Sequence, residues 1–150
     1  MFDKLNYIEL SGNKYPLKCD MVVLEQIQEE FGDLGTFENK LIGFVPAKEE
    51  DGSLKRNDAG MLVGRYEQPN LKMVNQTLFW MISEGLAIEA EECGEEKRRV
   101  EREHLLREID IPPSEIGQKL HEEFLRCFVR KNSETTQGEK NQKTEKSPNK

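Results

Sequence analysis

The sequence predicts a small α+β fold: mainly helical, with an N-terminal β-hairpin and helices packed around a central helix near residues 71–87. Three observations predict it. Two short strand-forming runs flank a Gly-Asn turn near the N-terminus. Apolar residues recur at helical spacing in several later segments. One of those segments is apolar on two sides.

The runs are Asn6-Tyr7-Ile8-Glu9-Leu10 and Tyr15-Pro16-Leu17-Lys18, joined by Ser11-Gly12-Asn13-Lys14. Gly and Asn tolerate the backbone angles of a tight turn, so the segment reads as a hairpin. Pro16 has no N–H to give to a ladder, which puts its strand at an edge or frays it there. Asp20 is suited to cap a helix from about Met21 to Phe31, with Met21, Leu24, Ile27 and Phe31 as its stripe. Gly32 is a left-handed stop. Thr36 is the expected cap of a short second helix, Phe37 to Ile42.

Residues 43–70 are the least regular stretch. Glu50-Asp51-Gly52-Ser53 is a strong turn signal, so the stretch reads as a long mobile loop or as a second, weak hairpin. Pro69-Asn70 then opens the strongest helix, about Leu71 to Ala87. Leu71, Val74, Leu78 and Ile82 form one face, and Met73 and Trp80 lie nearly opposite. Such a helix is central to the fold or is covered on one side by another molecule. Glu95, Arg99, Glu103 and Arg107 are each four apart, which predicts a charge ladder on one face of a further helix. Ile111-Pro112-Pro113 ends it. A last helix starts at Pro113 or Ser114, with Ile116, Leu120, Phe124 and Cys127 as its stripe.

Residues 1–130 are expected to form one globular domain. From Lys131 onward there is no apolar residue to bury, so residues 131–150 are expected to be a disordered polar tail. That tail has five lysines against three glutamates, so the rest of the chain is more acidic than the whole.

Composition narrows the function. With 150 residues, 35% hydrophobic and 34% charged, the chain has a modest core and marginal stability. Surface hidden against a partner therefore matters. A formal net charge of −7 repels phosphate backbones and anionic membranes. Cys19, Cys93 and Cys127 have no framework spacing and read as reduced thiols in a cytoplasmic setting. Met1-Phe2-Asp3-Lys4 is not followed by an apolar signal region, and no run approaches the roughly 18 apolar residues of a membrane span.

No site motif emerges. Cys93, His104, His121 and Cys127 lack metal-ligand spacing. Cys127 lies on an apolar stripe, where an inert thiol is common. Nucleophile-elbow, phosphate-loop and dinucleotide motifs are missing. Glu91, Glu92, Glu95 and Glu96 read as a solvated face, since acid–base work needs a pKa shifted by burial. Pro112-Pro113-Ser114-Glu115-Ile116-Gly117 before a helix suggests helix-turn-helix, but Glu115, Glu122 and Glu123 have the wrong sign for a groove. The expectation is therefore a non-enzyme with no cofactor. Its candidate partner-binding residues are Met73 and Trp80, beside Phe79 and Met81, and the group Phe31, Leu34, Phe37, Leu41 and Phe44. Each set serves as core or as an exposed apolar surface.

The order of these features resembles one family. The hairpin Ile8 to Lys18 precedes a helix ending in Glu29-Glu30-Phe31-Gly32. Then come Pro69-Asn70, Leu78-Phe79-Trp80-Met81-Ile82 and Glu84-Gly85-Leu86-Ala87-Ile88. The pattern, over about residues 5–128, is similar to the tail assembly chaperones of long-tailed phages and prophages of low-GC Gram-positive bacteria. The resemblance implies binding to the tape measure protein, recruitment of tail-tube protein, and departure before the virion is complete. It implies no enzyme activity and no cofactor. In many such phages a ribosomal frameshift makes a longer form, and a Lys-rich stretch like Gly138 to Lys146 suits that. A small regulatory or adaptor protein that binds another partner, and self-association through the Trp80 face, are the rival expectations.

Overall fold

Ser11 and Gly12 take φ of 50° and 81°, both left-handed, and so form the tight turn whose twist matches paired strands. The turn joins β1 (Asn6–Leu10) to β2 (Asn13–Leu17) in an antiparallel pair with Ile8 opposite Tyr15. Residues of one parity share a face, so Ile8, Leu10, Tyr15 and Leu17 are buried together. The computed structural model describes residues 4–96 and 98–129; the expected tail, 131–150, lies outside them. The remaining elements are α1 (Met21–Phe31), α2 (Leu34–Ile42), β3 (Phe44–Pro46), β4 (Gly64–Tyr66), α3 (Leu71–Cys93), α4 (Arg102–Arg107) and α5 (Pro113–Arg126). The fold is the small α+β arrangement that the sequence predicts, with α3 at its centre.

α3 is capped by Asn70, whose side chain accepts from the Met73 N–H. It runs to Cys93, farther than the predicted Ala87, and ends at left-handed Gly94. Its interior residues are Met73, Val74, Thr77, Leu78, Met81, Ile82, Gly85, Leu86 and Ile88, which is more than one face. The hairpin covers one side. There Gly85 admits the backbone of Pro16, because a Cβ would stand 2.6 Å from the Pro16 carbonyl oxygen. The Lys18 N–H also donates to the Met81 carbonyl at 3.1 Å. Val23 and Ile27 of α1, Phe37 and Leu41 of α2, and Ile116, Leu120 and Phe124 of α5 complete the core around it.

Several local expectations need correction. On α1 the buried residues are Val23 and Ile27, while Leu24 and Phe31 pack at the margin and Met21 is exposed. Leu71 likewise stands outside the α3 core. α2 begins at Leu34, three residues after Gly-terminated α1, because Asp33 and not Thr36 caps it; the Asp33 carboxylate accepts from the Thr36 N–H at 2.8 Å. The charge ladder does not form. Glu95 and Arg99 are outside any helix and α4 spans only Arg102–Arg107. Gly94 terminates α3, and the charged stretch after it has only half-buried Val100 to dock a helix against the core.

Residues 43–67 take the hairpin reading of their two alternatives. Three backbone hydrogen bonds close a triangle: Ala47 N–H to Val63 carbonyl (2.9 Å), Val63 N–H to Lys55 carbonyl (3.2 Å) and Lys55 N–H to Ala47 carbonyl (3.0 Å). The β3–β4 pair leads into this junction, and two small hairpins leave it, with Lys48 opposite Leu54 and Arg56 opposite Leu62. The arm satisfies its own backbone while most of its side chains face solvent.

Buried polar groups tie the N-terminal hairpin to the C-terminal helices. Glu123 is 4% exposed and accepts from Asn6 Nδ2 at 2.8 Å and from the Cys19 N–H at 3.4 Å, and Arg126 Nε lies 3.3 Å away. The Glu108 carboxylate accepts from the Tyr15 hydroxyl at 2.5 Å, and this bond holds it below the usual carboxylate range. Tyr7 donates to Glu89 at 2.6 Å; that bond first, and burial second, push its phenol up to about 12.

Two predictions follow from these bonds. Glu123→Gln keeps the shape but sets an amide donor against an existing donor. It should lower unfolding free energy by about 1–3 kcal/mol, read by urea denaturation. The Tyr7 phenol is raised above its ordinary value of 10.0, so its bond stabilises the fold fully below that pH and is lost as pH rises toward about 12. Tyr7→Phe should be less stable than the parent at neutral pH and converge on it in strong alkali. Equal stability of the two at neutral pH would contradict this.

Candidate partner-binding surface

The structure divides the candidate binding residues in two. Phe37 and Leu41 are wholly buried and Met73 is 8% exposed, so these three are core and offer no surface. α2 turns its Phe37–Leu41 face onto α5, and Phe37 meets Phe124 with ring centroids 5.4 Å apart. Phe31, Leu34, Phe44 and Trp80 are half-buried. Phe44 belongs to the arm and packs on Tyr66, centroids 5.3 Å apart, away from the rest of the set. Phe31 and Trp80 do come together, at 5.9 Å. Residues 31–44 therefore do not make one groove.

Trp80 lines a shallow open groove of about 580 Å³ with Gln26, Glu29 and Glu30 of α1. Its walls are polar. Glu30 faces Lys72 at 3.7 Å across an exposed pair, and such pairs contribute little stability.

A more apolar surface lies at the other end of α1. Met21 is 78% and Phe128 56% exposed, and Val22, Leu125 and Val129 are exposed on the same two chain segments. A depression of about 250 Å³ lies between these segments, lined by Met21, Leu24, Cys127 and Val129 together with Lys18, Cys19, Asp20 and Arg126. The ledge forms because Asp20 starts α1 where α5 ends. The Asp20 carboxylate accepts from the Val22 and Val23 N–H groups, which fixes the first turn and leaves Met21 and Val22 outward. The sequence reading placed Met21 in the core stripe and gave Phe128 and Val129 no role. The signal was present, since Leu125, Phe128 and Val129 crowd three large apolar residues beyond the stripe of α5.

The Cys127 thiol and then burial push the Cys19 thiol up, so it is a poor nucleophile. His121 pairs with Glu38 at 2.7 Å and joins α5 to α2. Among the described residues, no three His, Cys, Asp or Glu side chains gather as a metal set, and no helix is long and apolar enough to cross a membrane.

Core and ledge should respond oppositely to truncation. Phe37→Ala should cost about 3–5 kcal/mol of stability. Met21→Ser and Phe128→Ser should stay within about 0.5 kcal/mol of the parent. Chemical denaturation of the three variants checks the division; a ledge variant as unstable as Phe37→Ala would make the ledge part of the core.

No family model, curated protein or solved structure matches this chain.

Proposed function

We propose that the protein is a tail assembly chaperone of a long-tailed phage or prophage, working in the host cytoplasm as a protein-binding factor and not as an enzyme. Its client is the tape measure protein, and it helps recruit tail-tube protein before leaving the assembly. The observation that carries the reading is the set of exposed apolar side chains where α1 starts (Met21, Val22) and α5 ends (Leu125, Phe128, Val129), of which Met21 and Val129 line one depression, on an otherwise acidic, charge-rich chain. The order of hairpin, capped helix and two-sided central helix, on which the family resemblance rests, supports it as well.

The mechanism is shielding. A long helical client exposes an apolar stripe, and such a stripe lies against an apolar ledge without needing any fixed bonding pattern. Contact over so small an area is weak, so exchange is fast and release needs no energy source. The net charge of −7 speeds encounter with basic client segments and repels other copies of the chaperone.

The experiment is co-expression with the tape measure protein encoded downstream. The client should be several-fold more soluble with the chaperone than without it, and should co-purify with it. A chaperone carrying Met21→Ser and Phe128→Ser should lose most of that gain while remaining folded. A client equally soluble alone would end this reading. Genes for repression or lysis next door, in place of tail-tube and tape measure genes, would favour the adaptor reading.

A further inference from the structure

Cys19 and Cys127 are far apart in sequence yet meet in the fold. Both line the depression between the start of α1 and the end of α5, and the Cys19 S–H donates to the Cys127 sulfur. The backbone reinforces the contact. The Cys19 N–H donates to the Glu123 carboxylate at 3.4 Å, and Glu123 stands one turn before Cys127 on the same face of α5. A disulfide forms only between cysteines whose side chains already approach, because the bond tolerates little distortion. A thiol hydrogen bond puts the two sulfurs in contact and meets that condition. Cys127 is the C-cap of α5, so a small adjustment there leaves the helix intact. The two thiols differ in access. Cys19 is 3% exposed, whereas Cys127 is half-buried, so a solute in the depression reaches Cys127 first. The third cysteine, Cys93, is exposed at the end of α3 and does not line the depression.

We propose that Cys19 and Cys127 are a peroxide-sensitive pair that closes into an intramolecular disulfide, with Cys127 reacting first and Cys19 resolving it. The Cys127 sulfur attacks one oxygen of hydrogen peroxide. An S–O bond forms, the O–O bond breaks, and the thiol proton leaves with the other oxygen as water. Cys127 is then a sulfenic acid. The Cys19 sulfur attacks it, the S–S bond forms, the S–O bond breaks, and the Cys19 proton leaves with the hydroxide as a second water. The two thiols are oxidised and the peroxide is reduced. The largest restraint on the Cys19 thiol is its hydrogen bond to Cys127, and oxidation of Cys127 removes it. Contact does the rest, since a group held against its target needs no encounter. The bond ties the β2–α1 junction to the end of α5. It does so whether or not the apolar side chains beside it serve a client.

The test treats the reduced full-length protein with stoichiometric hydrogen peroxide. Trypsin cuts after Lys18 and after Arg126, so each cysteine becomes a peptide N-terminus and a linked pair is identified by mass. The Cys19–Cys127 link within one chain should be the main product, and dithiothreitol should reverse it. Free thiols should fall from three per chain to one. A main product linked through Cys93, or sulfinic acid at Cys127 with no link, would overturn the proposal. Cys93→Ser should form the link as the parent does. Cys19→Ser should stop at a Cys127 sulfenic acid that dimedone traps. Equal trapping at Cys19 in Cys127→Ser would overturn the order of attack. The parent's peptide map decides the pairing even where a serine variant folds poorly. The linked protein should also need more urea to unfold, with a midpoint higher by about 1 M or more, because the bond closes a long loop in the unfolded chain. An unchanged or lower midpoint would mean that the bond does not fit the folded positions, and would overturn the native pairing.

Discussion

A helix that is apolar on two sides must be covered on two sides, and this constraint on α3 organises the fold. One α-helix or one short hairpin cannot do it. The chain therefore spends its N-terminus on one flank and α1, α2 and α5 around the rest. Gly85 is where the constraint is tightest. It lets the β2 backbone come close enough for the Lys18 N–H to reach the Met81 carbonyl. Larger side chains at that position would push the hairpin off the helix and expose Ile8, Leu10 and Leu17. The two-stranded hairpin would be marginal alone, so it takes its stability from α3.

Covering α3 brings the N-terminal hairpin together with α5 and the segment after α4, and polar groups then fix the join. Glu123 on α5 reaches Asn6 and the backbone at Cys19, and Glu108 after α4 reaches Tyr15. Both carboxylates accept from groups more than 90 residues away in sequence. Apolar packing sets the approximate positions, and these directional bonds set the register. The same join places Met21 and Leu24 beside the end of α5, so the depression there is a consequence of closing the fold.

What was legible in the sequence was local. The hairpin, the Asp20 and Asn70 caps, the Gly32 stop, and the prolines at the start of α5 act on their immediate neighbours, and each is where the sequence places it, although the turn falls on Ser11-Gly12, one residue before the expected Gly-Asn pair. What was not legible depends on distant contacts. The rotation of α1 is set by Val23 and Ile27 meeting α3, and nothing within Met21–Phe31 distinguishes that rotation from one burying Met21. The triangle linking Ala47, Lys55 and Val63 joins residues eight or more apart by backbone bonds, which leave no side-chain signature. The charge ladder was misjudged for the opposite reason. Its spacing was right for a helix, but i, i+4 ion pairs add only about 0.3–0.5 kcal/mol each, too little to hold a helix that has no apolar face to bury. Among the candidate surface residues, Phe31 and Trp80 meet at the surface, while Phe37, Leu41 and Met73 are core. Composition treats all five alike; only the packing around α3 separates them.

The two flanks of α1 give the surface its character. Met21 is unbranched and adaptable, and Val22, Leu125 and Phe128 offer area without a fixed polar pattern. Such a ledge accepts many apolar stripes about equally, and this suits a client whose helix repeats similar surface along its length. It also discriminates poorly. The opposite flank, with Gln26, Glu29, Glu30 and Trp80, is polar, and Glu30 there already pairs with Lys72. The contrast follows from α3: an eleven-residue helix that buries only Val23 and Ile27 in the core leaves its other faces to solvent, one apolar and one charged.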